Sequence, residues 1–213
     1  MEALERAAAR PRTRAPLVWL KPAALGLAVL PAAKLAFDAA TGGLGANPIA
    51  EGMNRLGFWT LTFLALSLAA TPLHDLAGLG WPVRVRRLLG LTAFAYASTH
   101  LGWYLVIDQF FDVASIARDV AKRRFITVGF AAFLLLVPLA VTSTKGWVRR
   151  LGYARWKRLH RLVYAAALLG VVHFVWRVKA DLRKPLAFAA VVALLLGARG
   201  VALALRHRPH GPR

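Results

Sequence analysis

Cysteine is absent from this 213-residue chain. That absence removes disulfides, iron–sulfur clusters, thiolate catalysis and covalent porphyrin attachment through C-x-x-C-H. Any redox group must then be held by nitrogen or oxygen ligands and by shape. Acidic side chains are scarce as well: 9 Asp and Glu stand against 29 Lys and Arg, a formal charge of +20. What the chain has in excess is apolar surface, with 58% hydrophobic residues and a mean hydropathy of +0.52. Soluble domains seldom combine such hydropathy with such charge. The basic residues sit between apolar blocks and form no stripe interleaved with aromatics, so the chain is expected to bind no nucleic acid. It reads as an all-α, polytopic membrane helical bundle.

Runs of about 20 apolar residues, enough to cross a hydrocarbon core of roughly 30 Å, give about six transmembrane helices. They fall near 16–36, 57–76, 87–107, 125–144, 158–177 and 185–205. The first is interrupted by Lys21, Pro22, Pro31 and Lys34, whose lysines can snorkel to the headgroups. It is expected to be retained, because the segment before it lacks the small-residue cleavage pattern of a secretory leader. The domain division is a basic tail at 1–15, one transmembrane domain at 16–206 and a tail at 207–213.

Basic residues set the orientation. Seventeen lie on the side that holds the N-terminal tail, Arg84 to Arg87, Lys145 to Arg161 and the C-terminal tail, and ten lie on the other. Both termini are therefore expected on the cytoplasmic side, with the loop carrying Asp108, Asp112 and Asp119 outside. The cytoplasmic basic run is also a contact for anionic membrane lipid. Trp103, Tyr104, Trp147, Tyr153 and Trp156 read as interfacial belt residues.

Three histidines stand at or inside apolar stretches: His100 in LTAFAYASTHLGWYLVI, and His160 and His173 in KRLHRLVYAAALLGVVHFVW. An imidazole in hydrocarbon is costly unless its nitrogens are used, so these are functional candidates. The third and fifth spans both run outward. His100 lies 13 residues beyond Arg87, and His173 lies 13 beyond His160, so at 1.5 Å per residue each is about 20 Å further out. His100 and His173 are thus expected at one depth, as the axial ligands of a b-type heme buried among Leu101, Leu105, Leu168, Val172 and Phe174. His160 marks an inner depth, level with Arg86 and Arg87, where a second heme is an open possibility. Arg86 is placed to approach iron or to pair with a propionate, and the pairing suits a guanidinium better. His74, in TPLHDL, is another possible ligand there. His207 and His210 read as solvated tail residues.

The segments 84–104 (RVRRLLGLTAFAYASTHLGWY), 138–176 (PLAVTSTKGWVRRLGYARWKRLHRLVYAAALLGVVHFVW) and 70–75 (ATPLHD) carry a resemblance across nearly the whole chain. Their most specific parts are the T-S-T-x-x-W turn and ARWKRLHRLVY followed by His173. In these the chain resembles the MsrQ (YedZ) family, the heme-binding membrane subunit of a bacterial periplasmic methionine sulfoxide reductase system, among the ferric-reductase-like transmembrane domains. The resemblance implies heme b, with FMN as a family cofactor, and electron flow from quinone or quinol to a periplasmic molybdopterin subunit that repairs oxidised proteins. It places heme histidines at His100, His160 and His173, with Arg86 matching an arginine that serves an inner heme. In the wider group the third helix carries two histidines, and here it carries one.

No Gly-rich dinucleotide fingerprint is present. Electrons are expected from a membrane quinol, or from a separate cytoplasmic flavin reductase, with no substrate chemistry on this chain. Two other functions compete: a quinol-linked cytochrome b that reduces ferric iron, and a colourless proton or metal transporter using the same histidines.

Overall fold

The computed structural model describes residues 18–206. The tails expected at 1–15 and 207–213, with His207 and His210, lie outside the described residues. Six long helices form the bundle: α1 (Leu20–Thr41), α2 (Pro48–Ala77), α3 (Trp81–Trp103), α5 (Arg124–Val141), α8 (Leu162–Arg177) and α9 (Arg183–Arg206). Three short ones decorate its ends: α4 (Val113–Lys122), α6 (Lys145–Leu151) and α7 (Tyr153–Leu159). Among the described residues there is no strand. Five segments are long and apolar enough to cross a membrane: α1, α2, α5, α9 and the α7–α8 stretch Tyr153–Arg177. The chain is a multi-pass membrane protein. The sixth long helix, α3, is less apolar because it carries Arg84, Arg86, Arg87 and His100.

Local signals set the helix ends. Asn47 caps α2 by accepting from the Ala50 amide, with Pro48 in the first turn. Gly42 and Gly78 close α1 and α2 in the left-handed conformation. Helix α2 starts at Pro48, well before the expected 57. Its first turns carry Glu51 and Arg55, which interrupt an apolar reading but pair with each other at 2.7 Å. Arg55 also pairs with Asp38 of α1, which Lys34 holds at 2.9 Å. A charge cluster thus ties α1 to α2 at the end where α2 begins, called the upper end below.

The helices approach closely along small residues, as membrane bundles require when water does not drive association. Helix α2 packs along α3, and α5 along α8, while α9 lies on α2 and α8 and α1 on α3. Ala70, Ala93, Ala166 and Ala167 are fully buried at these contacts. Tyr96 of α3 reaches the Ala28 carbonyl of α1 at 2.8 Å. Trp103 spans α3 to α2, donating to the Ile49 carbonyl at 3.0 Å and lying on Gly52. It is a packing residue, unlike the belt position expected for it.

Just past Trp103 the helix widens into one π-helical turn, Tyr104–Asp108. Phe110 and Phe111 follow with positive φ (48° and 59°), and Asp112 caps α4 by accepting from the Ala114 and Ser115 amides. The amphipathic α4 lies along the upper end, sending Ile116 and Val120 inward.

Candidate functional site

His100 lies in the last turn of α3 and His173 near the end of α8, and the fold brings them together at the upper end. Their ring centroids are 6.2 Å apart with the planes at 86°. Each Nδ1 sits on a main-chain oxygen of a neighbouring helix: Met53 of α2 at 3.0 Å from His100, and Phe125 of α5 at 2.7 Å from His173. A carbonyl only accepts, so both Nδ1 atoms carry the proton and donate. Each Nε2 is left with its lone pair and without a protein partner among the described residues. This is the tautomer a metal-ligating imidazole adopts when its second nitrogen is anchored.

Both rings line one cavity of about 660 Å³. Its depth is apolar, with Leu61, Leu64, Phe133, Leu136 and Ala166, and its polar groups gather at the upper end as Tyr104, Asp108, Arg123 and Arg177. Two glycines make room for the rings. A Cβ on Gly129 would lie 2.5 Å from His173 Nδ1, and one on Gly57 would lie 3.3 Å from His100 Cε1. A metal–imidazole bond of about 2 Å on each side, plus roughly 1 Å from nitrogen to ring centre, separates two axial rings by about 6 Å. The observed spacing, the anchored tautomers and the apolar chamber fit an iron porphyrin.

Of the residues expected around a macrocycle, Leu101, Leu105 and Phe174 line this cavity, and Leu168 and Val172 do not. On α8 the inward face repeats through Ala166, Gly170, His173 and Arg177 at helical spacing. Leu168 falls outside that stripe and is exposed.

His160 stands between α7 and α8, at the opposite, lower end. With Arg86, Arg87, Ser143, Lys145 and Trp156 it lines a second cavity of about 350 Å³. Its Nδ1 donates to the Trp156 carbonyl at 3.1 Å, and its Nε2 lies 3.5 Å from the Ser143 hydroxyl. The Trp156 indole packs on the imidazole at 4.0 Å and donates to the Thr142 carbonyl at 2.9 Å. Like Trp103, it is engaged inside the protein. Arg86 is held by the Thr71 hydroxyl at 3.0 Å. This cavity offers one imidazole and three basic side chains, Arg86, Arg87 and Lys145. Guanidiniums stay protonated, so the set suits a carboxylate or phosphate better than a second axial pair.

The structure does not bring His74 to either cavity. Its side chain is 54% exposed beside Asp75, at 3.5 Å. The T-S-T-x-x-W turn acts as a joint: Thr142 and Ser143 cap α5 by bonding Pro138 and Leu139, and Thr144 caps α6 at the Trp147 amide. Gly57, Gly129 and Arg177 were not singled out in the sequence. The glycines carried a faint signal, as isolated gaps inside apolar helices where something must approach closely.

Comparison with known proteins agrees with this architecture. Residues 56–171 match the family described as ferric reductase like transmembrane component, which defines the class. That stretch includes His100 and His160 and stops just short of His173. Within the class, a heme-binding subunit MsrQ of protein-methionine-sulfoxide reductase from Azospira oryzae is 52% identical over 91% of this chain and 82% of its own length. The protein of the same name from Rhodospirillum rubrum is 57% identical over 78% and 80%, and that of Herminiimonas arsenicoxydans 52% identical over 79% and 78%. The chain belongs to the MsrQ family.

Proposed function

We propose that the chain is the membrane electron-transfer subunit of a methionine sulfoxide reductase system, holding heme b between His100 and His173. The observation that carries this reading is the pair of imidazoles, 6.2 Å apart in an apolar chamber, each with Nδ1 fixed on a carbonyl and Nε2 unpartnered. When bound, the group supplies reversible one-electron chemistry at iron. The protein's part is to fix both rings, exclude water from the chamber and leave the upper rim accessible to a partner.

The relatives' names supply the partner class, a protein-methionine-sulfoxide reductase. We place it on the periplasmic side, as a molybdopterin protein docking at the upper end, with the termini in the cytoplasm of a bacterial inner membrane. Electrons come from the quinone pool, or from a cytoplasmic flavin reductase, at the lower cavity. Arg86, Arg87 and Lys145 there suit the phosphate of FMN or the propionates of a second heme, and His160 offers a single nitrogen.

A visible spectrum of the detergent-purified chain, oxidised and then reduced with dithionite, tests the reading. A low-spin b-type Soret and α-band that vanish in the H100A/H173A double variant support it. A double variant that folds and keeps its full Soret band would falsify the ligand assignment. A colourless chain would instead favour the proton or metal transporter. Reduction of ferric chelates without any periplasmic partner would favour the ferric reductase.

A further inference from the structure

Of the three charged residues that line the cavity, Asp108, Arg123 and Arg177, only Arg177 makes no side-chain hydrogen bond or ion pair with any described residue. Its neighbours there are engaged. Arg123 holds Asp119 at 3.3 Å, Asp119 also accepts from the Tyr104 hydroxyl at 3.4 Å, and Asp108 accepts from Gln109 at 2.8 Å. Arg177 sits four residues after His173 on α8, one turn further up the same face, and lines the same cavity. It is half-buried, so its charge is not fully served by water.

The cavity has one apolar end and one polar end, and at the polar end Arg177 is the cation left without a protein counter-ion. An amphiphile that fills it must place its hydrocarbon edge at Leu64, Leu136 and Ala166 and its anionic groups at the rim. A porphyrin with two propionates on one edge is such a molecule. We propose that Arg177 binds a propionate of the heme held by His100 and His173, and so fixes that heme with its carboxylate edge toward the upper end. This rests on the heme reading given above. A guanidinium presents two parallel N–H groups to a carboxylate, a geometry that an ammonium cannot copy. Arg177 is thus a positioning residue: it selects which way the ring faces and slows its escape, while the two imidazoles hold the metal.

The test compares heme b with its dimethyl ester, in which both carboxylates are masked. Each is reconstituted into the detergent-solubilised full chain, and transfer to excess apomyoglobin is followed by absorbance. For heme b, R177Q should release about ten- to a hundredfold faster than the native chain, the loss expected for one charge-assisted hydrogen-bonded contact. R177K should fall between them. With the dimethyl ester, the native chain, R177K and R177Q should release at one common rate. R183Q, which removes a well-exposed charge at the same end, should match the native chain with both hemes.

Three results would overturn the proposal: R177Q releasing heme b at the native rate, R177Q speeding both hemes equally, or R183Q doing as much as R177Q. The second would show that Arg177 acts on the fold. A native chain that takes up neither heme would bring down the heme reading itself, and is told apart by the missing Soret band before any release is measured.

Discussion

Gly129 of α5 and His173 of α8 are in such close register that a Cβ on the glycine would lie 2.5 Å from the imidazole Nδ1. The ring occupies the space that any other residue would fill. The hydrogen bond to Phe125, one turn earlier on α5, depends on the same approach.

Gly129→Ala should therefore push the His173 ring off its carbonyl and out of line with His100. Heme affinity is expected to fall about tenfold or more, the usual effect of disturbing the partner of a metal-ligating histidine. Gly57→Ala, with 3.3 Å to His100 Cε1, should cost less, since a shift of a few tenths of an ångström relieves it. Heme-to-protein ratios of the two purified variants check the order.

Single changes at the pair should separate ligation from folding. His100→Ala and His173→Ala are each expected to convert the low-spin spectrum to high-spin or to lose the heme, while the chain still inserts and purifies. Added imidazole should restore a low-spin band in either variant, because it supplies the missing nitrogen. Optical titration with imidazole checks this.

Tyr96→Phe probes the bundle without touching the rings. It removes the buried hydroxyl bond to the Ala28 carbonyl that joins α3 to α1. A loss of about 1 kcal/mol is expected, the typical net worth of one such bond. Thermal denaturation in detergent should show it, with the visible spectrum unchanged.

The lower cavity should respond in a different observable. His160→Ala and Arg86→Gln are expected to leave the upper pair's low-spin signature in place and to slow reduction by a quinol analogue about tenfold or more, as removal of a charged contact to a bound group does. His74→Ala, exposed and outside both cavities, should change neither. Stopped-flow reduction followed at the Soret band distinguishes the three.

Much of this was legible in the residues, for reasons that differ by position. His100 and His173 could be paired because an imidazole in an apolar helix demands a use, and because 1.5 Å per residue converts spacing into depth. His160 could be grouped with Arg86 and Arg87 by the same arithmetic. The register across helices was not legible. Nothing in single-helix periodicity states that Met53 and Phe125 present the carbonyls, or that the inward stripe of α8 passes through Gly170 and Arg177 and leaves out Leu168. Helix α4 was missed because its alternation of charged and apolar residues is too short and too polar to read as a span. The charged start of α2 is not legible because Glu51, Arg55, Asp38 and Lys34 balance one another only once α1 and α2 are side by side.

The anchors of both imidazoles are main-chain oxygens, so no side chain at position 53 or 125 makes the bond. Proton placement on the two rings is consequently inherited from the path of α2 and α5 rather than from any residue's chemistry. Sequences can drift at both positions without retuning the nitrogen that faces the chamber, provided the helices keep their course.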